Sequence, residues 1–193
     1  MRRVGLTDEE LVKEIINGNK CSMEVLVNRY YKLVFSFIYR TIGEYHISLD
    51  LTQDTFMKVI KGSKTFDYTK GKFKNWILKV AMNVCKDYWK SAYIKNNIVD
   101  NEVVRVEDES ENIVNIFERN DERRRIKDAI MTLPQSQREA LILKYYHDLT
   151  IKEISSVTEA NQSTVKSRLK LGVDKLKKIF SGGEESEKYK RKI

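Results

Sequence analysis

The segment from Phe73 to Lys90, FKNWILKVAMNVCKDYWK, constrains the fold of this chain more than any other. If it forms an α-helix, with about 100° between successive residues, its side chains separate into two apolar arcs and one polar stripe. The first arc holds Phe73, Trp76, Ile77, Val80, Val84 and Tyr88, and the second holds Leu78, Met82, Cys85 and Trp89. The lysine stripe between them holds Lys72, Asn75, Lys79, Asn83, Lys86 and Lys90. The two arcs predict a core helix that is buried on two sides and leaves this one ribbon open.

The lysine stripe has the composition of a surface that binds single-stranded nucleic acid. Lysines can follow the phosphates of such a strand, and aromatic residues at the rim can stack on unpaired bases. A solvated stripe of charges on a core helix is the alternative, and this segment taken alone does not separate the two interpretations.

Charge is distributed unevenly along the 193 residues, whose formal net charge is +8. Residues 1–90 carry a net charge of +6, residues 91–121 carry −5, and residues 122–193 carry +7. Two basic blocks separated by an acidic one are typical of two modules that bind polyanions and are joined by a tether. The sequence has a single proline, Pro134, and no run of alternating apolar residues, which predicts an all-helical fold.

Cysteine usage and hydropathy favour a cytoplasmic protein. Cys21 and Cys85 are isolated within apolar helical patterns, so we expect both to be reduced core residues. No apolar run approaches the roughly 18 residues that a membrane span requires. The basic N-terminus is followed by an acidic helix instead of the apolar core of a signal peptide, so we expect no leader sequence.

Helix signals divide the chain into consecutive elements. Thr7-Asp8-Glu9-Glu10 has the pattern of a capping box, and its helix is expected to end at Asn17-Gly18-Asn19. Further helices are predicted over 21–42, 48–61, 135–147, 150–158 and 161–180, with Pro134 in a first turn and a helix resuming near Ile113. Residues 65–71 are predicted to be a loop, residues 91–110 an acidic and partly disordered tether, and the residues after Ser181 a disordered tail.

The segment from Leu149 to Leu171 has the form of a helix-turn-helix. Its predicted core positions are Ile151, Ile154, Val157, Val165, Leu169, Val173 and Leu176, with the turn over 158–161. The wheel directs Ser163, Lys166, Ser167, Lys170 and Leu171 outward, as in a recognition helix that enters a major groove. Arg168 lies nearer the packing edge and suits a phosphate or a neighbouring carboxylate. An ordinary helical hairpin with basic flanks is the alternative.

The segment from Leu49 to Lys61 carries a third motif, with an acidic outer face. Leu49, Thr52, Phe56, Val59 and Ile60 are expected to pack inward, whereas Asp50, Gln53, Asp54 and Met57 share the outer face. Carboxylates on that face repel phosphate, so it suits a protein partner better than DNA. A solvated face is again the alternative.

The order and spacing of these motifs resemble the extracytoplasmic-function group of the bacterial sigma-70 family. EELVKEIINGNKCSMEVLVNRYYKLVFSFI resembles the start of the family's second region, DLTQDTFMKVI its polymerase-binding helix, and FKNWILKVAMNVCKDYWK its −10 helix. LPQSQREALILKYYHDLTIKEISSVTEANQSTVKSRLK resembles the fourth region, which reads the −35 element. The resemblance covers roughly 1–93 and 122–180. It implies two small helical domains at 1–93 and 122–180, a flexible linker at 94–121 and a disordered tail at 181–193.

The resemblance also implies a division of roles among the residues. The −10 element would contact Phe66, Tyr68, Lys72, Lys79, Asn83 and Lys86. The −35 duplex would contact Ser163, Lys166, Ser167, Arg168 and Lys170. Core RNA polymerase would dock its β′ clamp helices on Asp50, Gln53, Asp54 and Met57 and its β flap on the C-terminal domain. An anti-sigma factor is an expected partner, and no cofactor, metal or catalytic residue is expected.

Three positions depart from the family pattern. Glu159 stands in the helix-turn-helix turn where the family usually has glycine, so strain is expected there. Leu49 replaces a commonly acidic residue, and Leu171 replaces a commonly basic residue that affects −35 preference.

Three other functions fit parts of the sequence. A regulator that binds duplex DNA alone does not account for the acidic face. An enzyme acting on nucleic acid would have only His46 and His147 as histidines and no carboxylate cluster with metal-ligand spacing. An adaptor that binds only protein leaves the lysine stripe and the recognition helix unexplained.

Overall fold

The computed structural model describes residues 5–98 and 121–190, with side chains over 5–93 and 124–181. These residues form eight α-helices, one 3-10 turn and no β-strand, so the all-helical prediction is confirmed. The N-terminal half contains α1 (Asp8–Ile16), α2 (Lys20–Ile42), α3 (Tyr45–Lys61), the 3-10 turn Ser63–Thr65 and α4 (Phe73–Ile98). The C-terminal half contains α5 (Asp121–Met131), α6 (Gln135–Tyr145), α7 (Ile151–Thr158) and α8 (Gln162–Lys190).

Local capping sets most of the helix ends. The capping box at the start of α1 is confirmed: the Glu10 amide donates to the Thr7 hydroxyl at 3.3 Å, and the Thr7 amide donates to the Glu10 carboxylate at 2.7 Å. Gly43 ends α2 with a φ of 90°, a conformation that glycine adopts without steric cost. Helix α3 begins at Tyr45, three residues earlier than predicted, because the Glu44 carboxylate accepts hydrogen bonds from the amides of His46 and Ile47.

Two helices extend beyond their predicted C-terminal ends. Helix α4 continues through residues 91–98, which were expected to belong to the tether, because no glycine or proline interrupts them. Helix α8 continues past Gly182 and Gly183, where the sequence predicted a disordered tail. Each glycine disfavours a helix by only about 1 kcal/mol, and the flanking Glu, Lys and Ser residues are compatible with one. The rest of the predicted tether, including Ile113, and residues 191–193 lie outside the described residues.

Pro134 precedes its helix instead of lying inside the first turn. It is the N-cap residue of α6, and its carbonyl accepts hydrogen bonds from the amides of Gln137 and Arg138. This placement needs no donor from the proline nitrogen.

Helix α4 is buried on two sides, as the two arcs predicted. Phe73 and Ile77 of the first arc and Leu78, Met82 and Cys85 of the second are each at most 1% exposed. The first arc packs into the N-terminal half, in which α4 contacts α2 and α3. On its other side α4 meets α7 of the C-terminal half.

The two halves share one apolar core. Ile142, Leu143, Leu149 and Ile154 of the C-terminal half join the same buried cluster as Phe37 and the α4 residues. Arg138 of α6 ties the halves together, since its guanidinium donates to the carbonyl oxygens of Thr41 at 2.9 Å, Met131 at 2.7 Å and Leu133 at 3.2 Å. The C-terminal half therefore packs directly on the N-terminal half.

Candidate nucleic-acid and polymerase interfaces

Helix α8 begins with a polar, exposed face. The Asn161 side chain accepts a hydrogen bond from the Thr164 amide at 2.7 Å and thereby caps the first turn. Val165 is fully buried, which fixes the rotation of the helix. The recognition face that results consists of Ser163, Lys166, Ser167 and Lys170, all exposed. Leu171, next to this face, is 53% exposed.

Arg168 does not belong to the recognition face. It is half-buried and lines a polar pocket of about 380 Å³ with Lys86, Gln135, Ser136, Glu139 and Thr158. Burial raises the pKa of the Glu139 carboxyl, although a hydrogen bond from Gln135 and the charges of Lys86 and Arg168 act in the opposite direction. Of the two sequence interpretations of Arg168, the position near Glu139 fits the neighbouring carboxylate, and the contact with the −35 duplex stays a prediction.

The four outward residues of α3 form one exposed face, called here the docking face. Asp50, Gln53 and Asp54 are exposed, and the Met57 side chain is 53% exposed. Their inward neighbours Phe56 and Val59 are at most 6% exposed, so the face is held on a rigid helix.

A row of aromatic rings on α2 lies beside α3 and is not among the predicted site residues. Tyr31, Phe35 and Tyr39 stack with ring centroids 6.3 and 5.9 Å apart, and Tyr31 also stacks on Phe56 at 6.3 Å. Tyr31 is 41% exposed. The spacing of four residues between these rings was a visible signal, because such residues lie on one helix face.

The −10 candidates are not equally accessible. Asn83, midway along the lysine stripe, is exposed, and Tyr68 is 59% exposed with the Lys13 ammonium 5.6 Å from its ring centroid. Phe66 is half-buried, with its ring 5.2 Å from Phe73 and 5.5 Å from Trp76. Phe66 is thus part of the aromatic packing around the start of α4, and its contact with the −10 element stays a prediction.

The lysine stripe is partly covered by the C-terminal half, whereas the sequence predicted an open ribbon. The Asn75 amide donates to the Glu153 carboxylate at 3.2 Å, and Lys72 lies 3.8 Å from the same carboxylate. The Lys79 ammonium pairs with Glu159 at 2.8 Å. These contacts join residues far apart in the chain, so helical periodicity could not reveal them.

Both carboxylates are ionised at neutral pH. Hydrogen bonds from the Thr150 amide, the Asn75 amide group and the Thr150 hydroxyl lower the pKa of Glu153 to about 2. The Lys79 ammonium lowers the pKa of Glu159. Two negative charges from α7 and the following turn therefore lie against the stripe.

Glu159 adopts the strained backbone expected of a non-glycine residue in this turn. Its φ is 57° and its ψ is 28°, which is the left-handed region. Among the described non-glycine residues with positive φ the other is Asp148, at 56°.

The cysteines and histidines have different environments. Cys85 is fully buried, and burial together with the nearby Glu139 carboxylate raises the pKa of its thiol. Cys21 is exposed at the start of α2, so the prediction that it is a core residue is wrong. His147 is 6% exposed, and burial, aided by Lys74 and Arg40, lowers the pKa of its imidazole to about 4.

Within the described residues, no three His, Cys, Asp or Glu side chains are grouped so that they could hold a metal ion. None of the helices searched there has the length and apolar character needed to cross a membrane.

Two family models match the chain, in the order of the motifs described above. Sigma-70 region 2 matches residues 26–93, and Sigma-70, region 4 matches residues 123–176. Together they cover more than half of the chain. The chain therefore belongs to the sigma-70 family, whose members bind core RNA polymerase and direct it to promoters to start transcription.

Relatives place the chain in the extracytoplasmic-function (ECF) group of that family. It is 25% identical over 163 residues to "ECF RNA polymerase sigma factor SigK" of Mycobacterium tuberculosis, covering 84% of this chain and 87% of the relative. It is 26% identical over 166 residues to "ECF RNA polymerase sigma factor BldN" of Streptomyces coelicolor, covering 82% of this chain and 60% of the relative.

Two solved structures share the fold. CnrH, solved in complex with the cytosolic domain of CnrY, superposes with a TM-score of 0.64 at 18% identity, over 89% of this chain and 96% of that one. The sigma factor RpoE from Bartonella quintana, solved in complex with the anti-sigma factor NepR, superposes with a TM-score of 0.61 at 15% identity, over 82% of this chain and 96% of that one.

Proposed function

We propose that this sigma factor divides its work among three faces. The docking face on α3 binds the β′ clamp helices of core RNA polymerase. The lysine stripe on α4 holds the unpaired strand of the −10 element, and the recognition face on α8 reads the −35 duplex. Residues 1–93 then act as region 2, residues 94–121 as the linker and residues 122–180 as region 4. This proposal rests on one observation: the acidic docking face and the basic recognition face are both exposed, while the opposite sides of α3 and α8 contain buried core residues.

A second polymerase contact is proposed on the C-terminal half. An apolar groove of about 450 Å³ lies between α5, α6 and α8 and is lined by Ile126, Ile130, Leu141, Val173, Leu176 and Phe180. The resemblance to region 4 supports the β flap as its occupant. An apolar groove of this kind suits the apolar face of a helix.

Promoter opening requires no fuel in this scheme, and the protein has no catalytic step of its own. Extruding a base costs a few kcal/mol of unstacking. Stacking and edge contacts with the captured base return about 1–3 kcal/mol per base. The exposed Asn83 amide can pair with the edge of such a base, and Tyr68 is the exposed aromatic residue among the −10 candidates.

An anti-sigma factor in the cytoplasm is the proposed regulator. The RpoE structure with which this chain shares its fold was solved with an anti-sigma factor, NepR. The family acts together with RNA polymerase, which supports a cytoplasmic location.

Charge reversal on the docking face tests the proposed polymerase contact. Asp50→Lys with Asp54→Lys should abolish binding to core RNA polymerase in a fluorescence titration. The matched control is Glu24→Lys with Asp148→Lys, which makes the same charge change at two exposed positions outside both α3 and the apolar groove of the C-terminal half. If both double variants lose the same affinity for core polymerase, or if the α3 variant binds like the wild type, the docking assignment is wrong.

The DNA contacts are tested on a promoter found by run-off transcription from genomic fragments. Lys166→Ala with Lys170→Ala should weaken transcription from a −35-dependent promoter while leaving binding to core polymerase unchanged.

Asn83→Ala should leave polymerase recruitment intact but impair −10 opening in permanganate footprinting, with rescue on a template mismatched across −10. If Asn83→Ala and the wild type open duplex DNA equally, the lysine stripe is a solvated surface and does not hold the −10 strand.

A further inference from the structure

We propose that Glu159 and Glu153 form an intramolecular latch that holds the free protein closed over its own lysine stripe. In this closed form the two carboxylates occupy the hydrogen-bonding positions that phosphates of the −10 strand would take. The latch is an autoinhibitory contact between the two halves of the chain. It rests on the proposed role of the stripe in binding that strand.

The contacts use the donors that DNA would need. Lys79 meets Glu159 at 2.8 Å, and Asn75 and Lys72 meet Glu153 at 3.2 and 3.8 Å. Carboxylate and phosphate oxygens compete for the same ammonium and amide donors. A strand can therefore engage these three residues only after the C-terminal half has moved away.

Glu159 occupies a position that favours glycine. Its φ of 57° is sterically unfavourable for any residue with a Cβ atom, and glycine would relieve that cost. This conformation coincides with a carboxylate aimed across the interface at Lys79. Strain retained where a side chain makes a specific long-range contact is typical of a functional position.

Glu153 serves two purposes, which makes it unsuitable as the test position. It completes the capping box of α7, where the Thr150 amide and hydroxyl each donate to its carboxylate at 2.9 Å. Replacing it would damage the helix start as well as the latch. Glu159 is the C-cap residue of α7 through its left-handed backbone, and its carboxylate pairs with Lys79, so the side chain can be replaced without removing a side-chain cap.

The test uses the full chain and three variants. Glu159→Gly removes the carboxylate and relieves the backbone, and Glu159→Gln removes only the charge. Glu24→Gln makes the same charge change at an exposed position on α2 and serves as the control. Far-UV circular dichroism verifies that helicity is unchanged.

Two readouts are measured. The first, taken without DNA, is the rate at which the buried Cys85 thiol reacts with Ellman's reagent, with the exposed Cys21 as an internal fast phase. The second is the anisotropy of a fluorescein-labelled single-stranded oligothymidine. Both Glu159 variants should accelerate the Cys85 phase and tighten oligonucleotide binding, each by about two- to fivefold, the range for one partly exposed ion pair. Glu24→Gln should change neither.

The possible outcomes separate the latch from the proposed function. Unchanged Cys85 reactivity in both Glu159 variants would overturn the latch, whereas the role of the stripe would still be decided by Asn83→Ala on a promoter. Faster Cys85 reaction without tighter DNA binding would overturn autoinhibition because the stripe would not bind the strand. If Glu24→Gln tightens oligonucleotide binding equally, the effect comes from the change in net charge alone, which would also overturn the proposal.

Discussion

Protonation of His147 is predicted to destabilise the junction between the two halves. The imidazole is nearly buried, with its ring 5.7 Å from Phe37 of α2, and its own carbonyl accepts a hydrogen bond from Lys74 of α4 at 2.6 Å. Lys74 and Arg40 disfavour a positive charge there, and Asp148 offsets them only in part. Acidification therefore places an unfavourable charge where α2, α4 and the C-terminal half meet.

The magnitude follows from proton linkage. The pKa of His147 falls from an ordinary 6.5 to about 4, so the unfolded chain takes up the proton first as the pH is lowered. The free energy of unfolding is then unaffected at pH 7.5 and falls by about 2 kcal/mol at pH 5 and about 3 kcal/mol at pH 4, since each pKa unit corresponds to about 1.4 kcal/mol.

Urea denaturation between pH 7.5 and pH 5 checks this value. His147→Gln cannot gain the charge, so its free energy of unfolding should fall by about 2 kcal/mol less than that of the wild type over this range. His46→Gln removes the exposed histidine and should follow the wild type. If His147→Gln and the wild type lose stability in parallel, the imidazole is not the group that carries the effect.

Five further substitutions, at four positions, test the contacts that hold the fold, each by urea denaturation. Glu139→Gln should raise the free energy of unfolding at pH 7.5, because burial raises the pKa of that carboxyl, and the gain should shrink toward pH 4.5; a loss of stability at pH 7.5 would contradict this. Arg138→Ala should lower the free energy of unfolding by at least about 2 kcal/mol because three carbonyl oxygens lose their donor, and Arg138→Lys should lower it less; an alanine variant as stable as the wild type would contradict the role of these hydrogen bonds. Thr150→Ala should cost about 1 kcal/mol by removing a capping hydroxyl, and Thr7→Ala should do the same in the matching box of α1. No loss in either alanine variant would mean that these caps contribute nothing to stability.

Features that depend on local sequence were predictable. The two arcs of α4 follow from helical periodicity, and the capping box at Thr7 follows from residues three apart, so both were predicted and both are confirmed. Gly43 likewise ends α2 where a left-handed residue was needed. These signals act within a few residues and do not depend on the rest of the fold.

Features that depend on tertiary packing were not predictable. A helical wheel shows that the second arc of α4 must be covered, but it does not show that α7 covers it and brings Glu153 to Asn75, 78 positions away in the chain. The packing of Phe66 against the rings of Phe73 and Trp76 was likewise not visible in the sequence pattern. Cys21 lies among apolar neighbours in sequence, but its position in the first turn of α2 leaves it exposed.

Under the proposed function, the exposure of the docking face in the closed form sets the order in which polymerase binding and opening occur. Asp50, Gln53, Asp54 and Met57 remain accessible while Glu153 and Glu159 cover part of the lysine stripe. First contact with polymerase can therefore precede opening, and the separation of the halves becomes a later unimolecular step. In stopped-flow mixing this order produces a fast phase whose rate rises with polymerase concentration. A slower phase follows, and its rate is independent of that concentration.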